Sequence, residues 1–297
     1  MLERHDAPHI LRGTQGLLRV SFYMDGVLTN AAGGVTLTAT RLDGTVLVNA
    51  QAATPISTGI YGYTLTPAQT ATLDLLTCVW SGSFEGAVQS VTTYAEIVGG
   101  ELFTLAQARA YDAAAMASET AYPADSILAA RDRITDEFEY ICNVSFVPRI
   151  AQEILDGNGK DCIAVPSLIL TDVRSVEERA SGTQDWTAYD AEALADLYLY
   201  GTGRIHRESL GVFTTGRQNI RVTYEHGMRY VPGEIARVAL MVLRDTLVPS
   251  NLTDKAFQFS DETGTYRLAQ PGRAYPYGIP TVDATLGRYT AQALAIA

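Results

Sequence analysis

Two apolar helical runs, Ile127 to Cys142 and Ile235 to Val248, bracket a stretch that reads entirely as strands and turns. No other feature constrains the chain as much. Neither the helices nor the strands between them carry a recognisable catalytic constellation, so the pattern is that of a building block. In the first run, Pro123 sits at a plausible first turn with Asp125 nearby, and Ile127, Ile134, Phe138 and Ile141 follow at three- and four-residue spacing. Arg131 falls on that same stripe, which predicts a solvent-edge or inter-subunit Arg, or a snorkelling one. The second run opens after Gly227-Met228-Arg229-Tyr230-Val231-Pro232-Gly233-Glu234 and is apolar on nearly every face. Such a helix is expected to be buried, within the subunit or between subunits.

Between the runs, Arg149 to Leu155 and Cys162 to Val165 read as a hairpin across Asp156-Gly157-Asn158-Gly159. A strand follows from Leu168 to Val176, a second hairpin crosses Gly201-Thr202-Gly203, and a last strand spans Asn219 to Tyr224. Trp186 to Tyr189 and Leu197 to Tyr200 read as short strands beside them.

Upstream, from Leu17 to Val98, β-branched and apolar runs are separated by Asp25-Gly26, Gly33-Gly34, Asp43-Gly44, Pro67 and Ser81-Gly82. Short strands at this spacing predict a β-sandwich of immunoglobulin-like type, with Trp80 ending a strand and no inter-sheet disulfide, since Cys78 is its single cysteine. After Gly99-Gly100 the composition turns Ala-rich, and Leu102 to Ser118 reads as a helix. The expected organisation is therefore α+β and multidomain: an N-terminal segment at 1–16, the sandwich at 17–98 and a linker helix within 99–122. A domain of helices with a β-rich insert occupies 123–249, and an extended C-terminal arm with a short terminal helix, Leu286 to Ile296, occupies 250–297. Tyr, Pro and Gly clusters give that arm the look of a docking segment. Its candidate assembly contacts are Tyr266, Arg267, Arg273, Tyr275 and Tyr277, to which Arg131 is added from the first helix.

Composition excludes several classes. The net charge of -11 disfavours a nucleic-acid reader, because duplex affinity comes largely from Lys and Arg neutralising phosphates. It is compatible with a passage through which DNA slides without sticking. No run approaches the roughly 18 to 20 apolar residues of a membrane span. The first residues carry no secretory signal, which predicts synthesis in the cytoplasm. Cys78, Cys142 and Cys162 are odd in number and set among apolar residues, and read as buried hydrophobes.

Tests for chemistry are negative. His5, His9, His206 and His226 form no metal-binding pair, no Cys-x-x-Cys exists, and no cofactor or metal is expected. Gly157-Asn158-Gly159-Lys160 lacks the spacing of a phosphate loop. His206 or His226 could partner Cys162 or a Ser, but nothing aligns three roles. Asp132, Asp136, Glu137 and Glu139 are expected on a solvated helix face. Trp80, Tyr61 and Tyr63 could form a sugar platform, with the sandwich core as their other home.

The order of features resembles the head-to-tail connector, or adaptor, family of long-tailed bacteriophages. The matching stretch is the helix Asp125 to Cys142 leading into Phe146-Val147-Pro148-Arg149, the Gly157-Asn158-Gly159 turn and Leu168 to Val176. It continues through Gly203-Arg204-Ile205, the strand Ile220 to Gly227 and Val231-Pro232-Gly233-Glu234-Ile235 opening the apolar helix. Tyr275-Pro276-Tyr277-Gly278-Ile279-Pro280-Thr281-Val282-Asp283, with Leu286 and Arg288-Tyr289, is similar to endings in such proteins from phages of actinobacteria. The resemblance implies a virion protein of the neck, without catalytic residues. Its expected form is a twelvefold homo-oligomeric ring below the portal protein, joined to a downstream neck or tail protein around the channel used in DNA ejection. The anchoring aromatics of the arm add the expectation that Gly264 to Pro280 reaches the portal or an adjacent subunit. The competing readings are a carbohydrate- or receptor-binding tail or baseplate protein and, behind it, a small hydrolase.

Overall fold

A computed structural model describes residues 7–180, 184–209, 211–248, 258–261, 264–267 and 276–296 of the chain, the side chains of 258–267 and 291–296 excepted. Its N-terminal strands are β1 (His9–Leu11), β2 (Gly16–Ser21), β3 (Tyr23–Met24), β4 (Val27–Leu28), β5 (Ala32–Thr40) and β6 (Val46–Ala52). They are followed by β7 (Thr54–Ser57), β8 (Ile60–Leu65), β9 (Asp74–Phe84) and β10 (Ala87–Val98). One sheet has the order β1-β10-β9-β5-β6 and the other β2-β8-β7, and their inner faces share one core around Phe22, Leu37, Leu76 and Trp80. Period-two burial builds it: along β2, Leu18 and Val20 point in while Leu17 and Arg19 point out. The expected N-terminal segment joins in, since β1 runs parallel to β10 with His9 opposite Glu96.

Two local expectations fail here. Ser81-Gly82 is not a turn, and Trp80 lies inside β9, fully buried. Gly82 is small because Val35, Ala31 and Phe84 crowd it, and the chain turns instead at Glu85-Gly86, both with positive φ.

The second part begins with α1 (Leu105–Ala114), capped by Thr104 and Gln107 in a reciprocal box. It is shorter than the expected helix, and Asp112 and Ala113 already have positive φ. Ala108 is its one buried residue, too little apolar area to hold a longer helix. Arg109 then donates to the carbonyls of Met116, Ala117 and Tyr122 and shapes the following loop. α2 (Ala124–Cys142) matches the first run and ends at Asn143 in the left-handed region.

The insert comprises β11 (Arg149–Gly157), β12 (Cys162–Ala164), β13 (Leu170–Glu178), β14 (Thr187–Ala188), α3 (Ala191–Ala195), β15 (Leu197–Tyr200), β16 (Arg204–Arg207) and β17 (Gly216–His226). β11 and β12 are not a hairpin. β11 pairs with β17 in the order β11-β17-β13-β14, and β12 pairs with β16 in the order β12-β16-β15. Gly157 is a crossing point between the two sheets, where a side chain would overlap the Thr214 carbonyl. Both sheets cover a third core containing Ile163, Val176, Ile205, Phe213, Val222 and Tyr224.

α4 (Gly233–Leu247) buries Ile235, Val238, Ala239, Val242 and Leu243. It is not apolar all round: Glu234, Arg237 and Asp245 form an exposed side, and Leu240 and Met241 are half-buried. β18 (Gln258–Asp261) and β19 (Gly264–Arg267) make an antiparallel pair. α5 (Pro280–Ile296) is longer than expected and belongs to the helical core, with Val282 and Leu286 buried against α2 and α4.

Gly227 joins β17 to α4 with φ +106°, and a Cβ there would overlap the Val147 carbonyl oxygen. Gly227→Ala should therefore cost on the order of 2 kcal/mol or more. Gly287 lies in α5 with open space around it, so Gly287→Ala should gain up to about 1 kcal/mol. Urea denaturation of both variants checks the pair. Equal effects would contradict the backbone reading.

Candidate functional site

The densest charge arrangement lies where the N-terminal sheets meet the helices. β1 carries His9 beside Glu96 of β10, α2 turns Asp132, Asp136 and Glu139 toward them at helical spacing, and β11 starts with Arg149. Arg149 reaches three carboxylates at once: Nη1 to Glu96 at 2.5 Å, Nη2 to Asp136 at 2.5 Å and Nε to Glu139 at 2.7 Å. Its side chain is 4% exposed and that of Glu96 is 0%. His9 adds Nε2 to Asp136 at 3.2 Å and a backbone N–H to Asp132 at 3.0 Å. Arg131 pairs with Glu101 and, at 3.0 Å, with Asp132. The backbone closes the same seam, Gly99 N–H donating to the Pro148 carbonyl at 2.8 Å.

The carboxylates are not equivalent. Burial pushes Asp136 up, but hydrogen bonding and charge from His9 and then Arg149 outweigh it, leaving this carboxyl below its ordinary 3.8. Glu139 goes the other way: burial raises it, and neighbouring Glu96 adds to the rise, against the pull of Arg149 and the Phe146 N–H. Burial opposes the charge on Arg149, yet Glu96, Glu139 and Asp136 together raise its affinity for the proton. The adjoining cavity, lined by His9, Glu101, Arg131 and Asp132, measures about 10 Å³, room for one water at most. On their outer side Asp132 and Asp136 border an open cleft of about 450 Å³ with Ala7, Pro8, Ser126 and Thr246. What the arrangement can do is hold two cores together.

The acids expected on a solvated face are thus mostly interior, with Asp132, Asp136 and Glu139 side chains 13%, 11% and 10% exposed. Arg131 is likewise engaged inside the chain, 7% exposed, and is not presented at an edge. Glu137 accepts from the Tyr277 hydroxyl at 2.7 Å, and the Tyr277 ring packs edge-on against Phe138 at 5.6 Å. Tyr277 therefore ties the C-terminal region to α2 of its own subunit. Tyr266 and Arg267 lie in β19, and their side chains, with Arg273 and Tyr275, fall outside the described residues.

The other candidates are dispersed. Trp80 and Tyr61 are sandwich core, 0% and 3% exposed, and make no sugar platform with Tyr63. Cys162 faces His206 across β12 and β16, half-buried where a fully buried thiol was expected, and burial raises it away from the thiolate. Burial lifts Cys78 to about 12 and Cys142 to about 11. His226 is buried in β17 beside Tyr224. Among the described residues no three His, Cys, Asp or Glu side chains are arranged to hold a metal ion, and no helix is long and apolar enough to cross a membrane. Sequence reasoning missed Glu96, His9 and Arg149. The available signal was the spacing of Asp132, Asp136 and Glu139 on one side of a helix with an Arg just beyond it.

No protein-family model matches the chain, and no curated protein does. Among solved structures it is similar to a chain from the neck of an empty GTA particle computed with C6 symmetry. The two share 14% identity at a TM-score of 0.34, over 45% of this chain and 73% of that one. A likeness that shallow fixes neither fold nor role.

The sign of each shift sets a pH dependence. A depressed Asp136 contributes stability that is present above its ordinary value and lost as pH falls below about 4. A raised Glu139 contributes stability present below its ordinary 4.5 and lost as pH rises through the folded value. Since Gln mimics the protonated acid and does not titrate, the melting temperature of wild type minus that of Glu139→Gln should become more negative from pH 4 toward pH 8. A difference constant across that range would contradict the raised carboxyl.

Proposed function

We propose that this chain is a structural subunit of a phage neck, a head-to-tail connector that assembles as a homo-oligomeric ring. One observation carries the reading: the motif order that resembles the connector family folds into a single module. β11 and β17, the strands adjoining the two bracketing helices, pair directly, with Arg149 opposite His226. Gly227 rests on Val147, so the exits from α2 and into α4 lie side by side. α2, α4 and α5 pack together in one core. Such a module offers rigid surfaces, as a closed ring of identical subunits requires.

The family resemblance gives the ring twelve subunits, a portal above and a neck or tail component below. An acidic exterior suits a channel along which DNA moves without being held. We assign the N-terminal unit to the immunoglobulin-like class, supported by its strand orders β1-β10-β9-β5-β6 and β2-β8-β7 and by their common core. In the ring it is an appended outer domain.

Negative-stain imaging of the purified chain, alone and mixed with the portal from the same phage, tests the proposal. Rings, or caps on the portal around an open axis, are expected. Persistent monomers in both samples would overturn it.

A further inference from the structure

The small sheet β12-β16-β15 has two unlike faces. Ile163 and Ile205 are buried, with Leu197 and Leu199 packed on the same core. Strand alternation therefore turns Cys162, Ala164, Tyr198, Tyr200, Arg204 and His206 outward. Tyr198 is 54% exposed and Tyr200 46%, and Arg204 is exposed. Tyr198 stands edge-on to Tyr200 with centroids 4.8 Å apart, and Tyr200 edge-on to His206 at the same 4.8 Å. None of the six outward residues is acidic, on a chain whose Asp and Glu outnumber Lys and Arg by 33 to 22.

Resting on the ring reading, we propose that this face is the contact through which one copy docks on the acidic exterior of a second copy. Tyr198 and Tyr200 are the anchors and Arg204 the charge partner. Tyr and Arg are the residues most often found at the energetic centre of interfaces. Mutual packing already restrains the rings, so docking costs them little further freedom. Charge selects the occupant. Two copies with a net charge of -11 each repel where acid meets acid, and a strand face whose six outward residues carry a guanidinium and no carboxylate, with Asp161 at its edge, is where they can meet. The ring reading calls for a head-to-tail contact, in which this face meets a different surface of the next copy. A sugar is disfavoured because the rings turn toward one another at 70° and 65° and leave no open stacking platform.

The test compares the full chain with Tyr198→Ala/Tyr200→Ala and Arg204→Glu by sedimentation velocity at low and high salt, alone and with portal. Val88→Ala, at a 77% exposed site in the other unit, is the control. Melting curves accompany each. Wild-type and control assembly are expected, with self-association weakened tenfold or more in both face variants and wild-type melting retained. Should the double Ala variant melt early, the exposed Arg204→Glu decides. Wild-type assembly kept by the face variants overturns this proposal and leaves the ring reading intact. The same holds if glycan binding, not assembly, is lost. A wild type that never assembles overturns both.

Discussion

A guanidinium kept charged in a nearly dry seam organises this molecule. Arg149 is drawn from the first residue of β11, Glu96 from near the end of β10, and Asp136 and Glu139 from the C-terminal half of α2. Glu96, 53 positions before Arg149, thus meets the same side chain as the neighbouring helix α2. Removing one partner from such a buried cluster typically costs about 3–5 kcal/mol, because the charges left behind have no water to turn to. The two parts of the chain would otherwise be joined mainly through the connection at Gly99-Gly100 and the contact of β1 and β10 with the helical side. Beside the cluster, Arg131, Glu101, Asp132 and His9 extend the seam.

Much of the local structure was legible because it is set by nearest neighbours. Alternating burial along β2 and β9 and the apolar stripe of α2 follow directly from side-chain order. Partnership was not legible. Gly157-Asn158-Gly159 has hairpin chemistry, but β11 finds β17 some sixty positions on, and turn residues carry no record of so distant a partner. Ser81-Gly82 has the chemistry of a turn, but the smallness of Gly82 answers to packing by Val35 and Phe84. The seam was hidden for a related reason. A charged residue on a helix is solvated by default, and only Arg149 and His9, brought in from elsewhere, make burial of Asp136 and Glu139 tolerable.

The same physics bears on role. A cluster that centres three carboxylates on one guanidinium, with the Arg149 and Glu96 side chains almost wholly buried, is suited to rigidity. A subunit that must transmit position along an assembly needs its parts fixed relative to one another. The helical core supplies a second fixed point, where Tyr277 just before α5 and Tyr289 within it donate to Glu137 of α2 and Glu234 of α4. The residues left outward, above all those of the β12-β16-β15 sheet, then present their surfaces in a constant geometry.

Differential scanning calorimetry of wild type and Arg149→Leu tests most directly whether the seam makes one body of two cores. The wild type should unfold in one cooperative transition, and Arg149→Leu in two, with the N-terminal sheets melting separately from the helical part. A variant that still unfolds in a single transition at the wild-type temperature would contradict it.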